Sequence, residues 1–249
     1  MELQHFIGRN EHATIYEEGP LTIKVFDADY PKSSVFYEAF IYSKIEETGL
    51  PICNIHKINK QDGHWTIIKD CIPGQNLEKL MEEHPERIPA YLEMMLEMQL
   101  KIHTKKSPFL FKLKDKLQGQ IESLTTISDT TKYELLTSLG GMPKHHKLCH
   151  GNFCPADLQV DENGRLVVYN WLNATQGNAS ADIANTYLLL YLKFPEAAEQ
   201  YVDRFCERTG TPRKYIQEWI PIVAAVKLTQ DRPQERELLM KWVDIAVYE

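Results

Sequence analysis

Over the first 70 residues the apolar positions fall in short β-prone runs; from Leu77 onward they recur mostly at helical spacing. Thr14-Ile15-Tyr16 and Leu21–Phe26 flank Glu17-Glu18-Gly19-Pro20, which predicts a hairpin. Ile55–Ile58 and Trp65–Ile68 flank a turn ending in Asp62-Gly63, which predicts a second. Between them a helix is predicted over Ser34 to Thr48. Ser33 or Ser34 would cap it, Phe36, Phe40, Ile41 and Ile45 would share one side, and Gly49-Leu50-Pro51 would end it. Ile72-Pro73-Gly74 closes this β-rich part.

Pro89 is placed to start a helix running to about Lys106, with Leu92, Met95, Leu96, Gln99 and Ile102 in helical register. Met94, Met95 and Met98 fit either an adaptable binding surface or a core face, and the core face is the expectation. Leu110, Leu113, Leu117, Ile121 and Leu124 mark another amphipathic helix. One β island follows, with Leu158–Val160 and Arg165–Tyr169 around Asn163-Gly164. Helices are then expected near Ala181–Lys193, Pro195–Thr209, Pro212–Leu228 and Gln234–Tyr248, the last alternating in charge as a solvated face does. The pattern is an α+β chain in two parts. A small β-rich lobe spans residues 1–73, and a larger, mainly helical lobe spans 74–249. A hinge lies near Lys69–Gly74.

Composition narrows the function classes. The chain has 28 basic and 35 acidic residues and a formal charge of −7. It lacks the basic footprint of a general nucleic-acid binder, so no nucleic-acid partner is expected. The charge is spread over both parts, so neither is a distinctive docking surface and no protein partner is named. The greasiest runs, Leu188–Leu192 and Ile220–Val226, fall short of the roughly 20 residues that span a bilayer, so no membrane partner is expected. Met1–Phe6 has neither a basic n-region nor an apolar h-region. Five cysteines, an odd number without Cys-x-x-Cys, suit a reducing cytoplasm. Three histidines and two cysteines between His145 and Cys154 raise a zinc site. Their spacing matches no standard zinc finger, and Cys149 is expected as a small buried strand residue.

The most informative stretch is Leu148–Trp171, LCHGNFCPADLQVDENGRLVVYNW. It resembles the catalytic segment of the aminoglycoside phosphotransferase family, related to choline kinases and more distantly to protein kinases. The family pattern is His-Gly-Asp-x-His-x-x-Asn, a hairpin, then Ile-Asp-Trp. His150, Gly151, Phe153, Pro155 and Trp171 match in place, and Gly177-Asn178 and Asp182-Ile183-Ala184 look like downstream family elements. The resemblance implies a bilobal protein-kinase-like fold with ATP and Mg²⁺ as cofactors and a small-molecule substrate. It places Gly8 in a reduced phosphate-covering loop, Lys24 on the ATP phosphates and Glu38 as the partner of Lys24. A bland reading of Lys24 and Glu38 is a surface ion pair of little worth. His150 belongs to the catalytic loop, and Asp182 is expected to bond backbone near that loop.

Three positions depart from the pattern. Asn152 stands where the resemblance expects the base Asp; a carboxamide orients a hydroxyl but takes no proton near neutral pH. Asp157 stands for the metal-binding Asn, and Asn170 for the metal-binding Asp. Cys154 replaces the second His. The formal charge of the trio falls from −2 to −1, and Mg²⁺ favours carboxylate oxygen, so ATP and Mg²⁺ binding is expected to be weakened or lost. The leading expectation is a catalytically impaired homologue of these small-molecule kinases. The alternatives are an active but slow phosphotransferase acting on a small hydroxylated metabolite, with Asp157 holding the metal, and a non-catalytic regulatory or scaffold protein.

Overall fold

The computed structural model describes residues 5–244. The N-terminal tetrapeptide and residues 245–248 of the expected last helix lie outside the described residues.

The β-rich part is one antiparallel sheet. Strands β1 (His5–Arg9), β2 (Ala13–Glu18), β3 (Leu21–Phe26), β4 (Ile55–Gln61) and β5 (His64–Asp70) lie in the order β1-β2-β3-β5-β4. Both predicted hairpins form. In the second, Asp62 and Gly63 take φ of 51° and 85°, the double left-handed turn that matches strand twist.

Helix α1 (Lys32–Glu46) crosses from β3 to β4. It differs from expectation at both its cap and its face. Pro31 precedes it without a side-chain cap bond, and the buried residues are Val35, Glu38, Ile41, Tyr42 and Ile45. Phe36 and Phe40 are exposed, Phe36 meeting Trp65 edge-on. Ile41 and Ile45 are buried as expected, and the buried side also includes Glu38, which is bonded to Lys24. Ile41, Tyr42 and Ile45 join the same apolar core as the helical part, which makes α1 a shared wall rather than a member of the sheet lobe alone.

The second part begins with β6 (Gly74–Asn76), which pairs with β8 (Leu158–Asp161); β8 pairs in turn with β9 (Leu166–Val168). The β8–β9 loop is longer than a two-residue Asn-Gly turn. Gly164 N–H donates to the Asp161 carbonyl, and the Asp161 carboxylate accepts from the N–H of Asn163 and Arg165. Two further short strands, β7 (Lys147–Cys149) and β10 (Thr175–Gly177), pair with each other.

The helices are α2 (Leu77–Glu83), α3 (Ile88–His103), α4 (Leu113–Ser123), α5 (Asp129–Gly141), α6 (Ala179–Tyr191), α7 (Pro195–Thr209), α8 (Arg213–Gln217), α9 (Ile220–Lys227) and α10 (Pro233–Asp244). The predicted core faces of α3 and α4 are buried, and Met94 and Met98 pack against that core. The single helix expected over Pro212–Leu228 is two. Pro221, which cannot donate a helical hydrogen bond, sits in the first turn of α9, where that loss is free. No helix among the described residues is long and apolar enough to cross a membrane.

Candidate functional site

The segment after β7 is held from below by Asp182, in the first turn of α6. Its carboxylate accepts from Gly151 N–H at 2.8 Å, His150 N–H at 3.2 Å, His103 Nε2 at 3.0 Å and Gln99 Nε2 at 3.1 Å. Burial alone would raise its pKa; the bond and charge of His103 and the Gly151 amide hold it below the usual value. Gly151 makes the sharp bend possible. It has φ of +76°, and a Cβ there would stand 2.4 Å from the carbonyl oxygen of Asn173.

His150 is fully buried, with its ring against Trp171 at 4.7 Å and Phe153 at 5.7 Å. Nε2 meets the carbonyl of Tyr169 at 3.0 Å, and Nδ1 accepts the Asn152 N–H at 3.3 Å. A carbonyl can only accept, so Nε2 donates and Nδ1 is the acceptor. Both nitrogens are spent on backbone, and the ring ties the loop to the end of β9.

Above this floor the structure brings Asn152, Asp157 and Asn170 together. Asp157 Oδ2 accepts from Asn152 Nδ2 at 2.7 Å and from Asn170 Nδ2 at 3.0 Å. Asn170 sits at φ 55°, ψ 58°, a left-handed conformation that Asn tolerates. Burial raises the pKa of Asp157 despite those two bonds. Cys154, beside it, is pushed up to about 12 by burial and then by the Asp157 charge.

A fourth group completes the cluster, and sequence reasoning missed it. Lys227, the last residue of α9, donates from Nζ to Asn152 Oδ1 at 2.9 Å. It is 6% exposed, and its pKa is pushed down to about 8, chiefly by burial. The available signal was one cation ending the otherwise apolar run Ile220–Val226. Lys116 was missed too. It lies on α4, donates to Asn173 Oδ1 at 3.0 Å, and is pushed down to about 8 by burial and then by Lys227.

In the sheet part, Lys24 Nζ meets Glu38 Oε2 at 2.7 Å and Oε1 at 2.9 Å. Their side chains are 14% and 7% exposed, so this is not the surface pair of the bland reading. Burial lowers the Lys24 pKa and Glu38 partly restores it. On the same sheet face, Lys69 meets the Tyr42 hydroxyl at 3.4 Å and stands 5.5 Å from the ring centre of Tyr169, next to Asn170. α1, which carries Glu38, packs on the turn Trp171–Asn173 that follows Asn170. Gly8 lies within β1 at a register irregularity, its Cβ position open to solvent.

The His/Cys-rich segment does not converge on a metal. His145 and His146 are exposed. Among the described residues, the close group of ligand-type atoms is His103, Cys149 and Asp182, sharing only Cys149 with that segment. Cys149 itself is fully buried in β7, as expected.

No protein-family model and no curated protein matches the chain. Solved structures do. A thermostable mutant of aminoglycoside phosphotransferase APH(4)-Ia, in a ternary complex with ADP and hygromycin B, is 18% identical with a TM-score of 0.71 over 97% of this chain and 92% of that one. An aminoglycoside-3'-phosphotransferase of type VIII is 13% identical with a TM-score of 0.63, over 86% and 88%. A choline/ethanolamine kinase family protein from Mesorhizobium loti is 13% identical with a TM-score of 0.64, over 99% and 85%. These likenesses show the fold: a bilobal, α+β, protein-kinase-like fold of the aminoglycoside phosphotransferase and choline kinase type.

Proposed function

We propose that this chain is an impaired homologue of the small-molecule kinases, which keeps the nucleotide side of the site and has lost the metal side. The observation that carries the reading is the single carboxylate of Asp157. One of its oxygens is held by two amide N–H groups, and the Lys227 ammonium sits one residue away on Asn152.

The residues present fit a nucleotide phosphate better than they fit Mg²⁺. Lys24 is held in place by Glu38 and has one N–H left for a phosphate oxygen. Solved neighbours of this fold carry ADP or AMP-PNP. Bound Mg²⁺ would neutralise phosphate oxygens. Here it would meet one carboxylate and a nearby ammonium, which repels it. Asn152 orients a substrate hydroxyl without deprotonating it. His150 and Asp182 are positioning residues that set the loop. Five free thiols support a reducing, cytoplasmic setting.

The second reading, a slow transferase with Asp157 as metal ligand, is favoured by the intact Lys24–Glu38 pair. ATP turnover across hydroxylated small molecules tests the impairment that both readings share, and Mg²⁺-dependence of ATP binding separates them. The expected rate lies at least a hundredfold below the usual kinase range of about 1–100 s⁻¹; a rate inside that range defeats the reading.

A further inference from the structure

Beside Asn152 a cavity of about 60 Å³ opens between α4, the Gly151 bend, α6 and α9. That is room for about four waters, or one carboxylate or phosphate group. Its polar lining carries two ammonium groups, four carboxamides (Gln120, Asn173, Asn185 and Gln230) and one carboxylate, Asp182. Lys227 contributes an ammonium whose hydrogen bond goes to Asn152 Oδ1. Lys116 contributes a second, bonded to the carbonyl and side-chain oxygens of Asn173. Asn185 is 7% exposed, and its Nδ2 is buried with no hydrogen-bond partner. The carboxylate in the lining, Asp182, is already covered by four donors.

Two ammonium groups drawn largely out of water with only neutral amide and carbonyl oxygens as partners, and an orphaned amide N–H, are costly without an anion. The cost falls if a ligand supplies one. We propose that this cavity anchors the oxyanion head group of a small-molecule ligand, a carboxylate or a phosphate monoester, between Lys116, Lys227 and Asn185. A hydroxyl next to that head group then faces Asn152. The anion is opposite in charge to choline and the amino sugars, the cationic substrates of the families this chain resembles. The hydroxyl placement rests on the reading of Asn152 as the acceptor side of a kinase-like site; the anion site itself does not.

Calorimetric titration tests this with three probes: glycerol 3-phosphate, glycerate and choline. Wild type is compared with Lys116→Met, Lys227→Met, Asn185→Leu and Lys24→Met. Lys→Met keeps volume and at Lys116 and Lys227 removes a charge without stranding a carboxylate; at Lys24 it leaves Glu38 unpaired, so far-UV circular dichroism checks that every variant folds before it is titrated. At least one of the two anions binds wild type, at least tenfold more weakly in each of the three pocket variants and unchanged in Lys24→Met. Choline binding more tightly than either anion overturns the proposal. So does anion binding that survives all three pocket variants, is lost only in Lys24→Met, or is absent altogether. Preference for glycerol 3-phosphate or glycerate assigns the head group as phosphate or carboxylate. ATP titrated separately keeps the two claims apart: anion binding without ATP binding sinks the nucleotide reading alone, and ATP binding lost in Lys24→Met without anion binding sinks this proposal alone.

Discussion

Two charged clusters of this molecule solve opposite problems. In the sheet part, Lys24 and Glu38 are buried together, opposite in sign, with two short contacts between them. In the helical part, the half-buried Asp157 is held by two carboxamides, and the neighbouring ammonium, Lys227, bonds an amide oxygen rather than the carboxylate. The first cluster is self-neutralised and rigid, and keeps a donor for a phosphate. By the family pattern the second has amide for carboxylate at two positions and carboxylate for amide at the third, and it has Lys227 and Lys116 close by. In the proposed reading, weakened metal binding there reflects more than the net loss of one carboxylate, because the ammonium groups beside the site repel a cation.

The comparison breaks first if its scaffold is removed. Asp182→Ala strands the buried N–H groups of His150 and Gly151 together with His103 and Gln99. A loss of about 3–5 kcal/mol is expected in urea unfolding. A loss under about 1 kcal/mol means the loop is held by something else.

The next effect sharpens the sheet cluster. Glu38→Ala leaves the Lys24 ammonium buried and unpaired, at an expected cost of about 3 kcal/mol. The double variant Lys24→Met with Glu38→Leu is expected to cost far less than the sum of the single changes, since no lone charge remains. Additive costs indicate independent surface charges.

The smaller effect concerns Lys227 and has a definite sign in pH. Its pKa is about 8 in the folded chain against 10.5 for the free group. Between those values the unfolded chain holds a proton the folded chain does not, so stability rises with pH across that window. Below about 8 the buried charge is a cost. From pH 7.5 to 9.5, wild type is expected to gain about 2 kcal/mol relative to Lys227→Met, measured by urea unfolding without anions. Equal pH slopes in the two proteins mean that Lys227 is not held low.

Much of this fold is legible in the sequence. Turn chemistry at Asp62-Gly63 and helical spacing at Leu92–Ile102 fixed those elements locally, because each carries its own signal. Helix α5 was not named: it buries only Leu135 and Leu139, too thin a stripe to read as a period. Strands β6 and β10 are three residues each and exist through partners distant in sequence. Phe36 and Phe40 misled because the buried face of α1, while it keeps Ile41 and Ile45, is completed by Val35, Tyr42 and the ion-paired Glu38. At the site, the motif placed Asn152, Asp157 and Asn170 by resemblance, but nothing local marks Lys116 or Lys227 as neighbours. They converge only when α4 and α9 pack against the loop.

The central claim is that the nucleotide side survives while the metal side does not. The direct measurement is the melting temperature with ATP, with and without Mg²⁺, for wild type and for Asn152→Asp with Asn170→Asp. ATP a hundredfold above its Kd is expected to raise the wild-type value by about 5–10 °C. That rise should be the same with or without Mg²⁺, and only the double variant should gain a Mg²⁺-dependent increment. A wild-type shift that appears only with Mg²⁺, or no shift with ATP under either condition, contradicts the account.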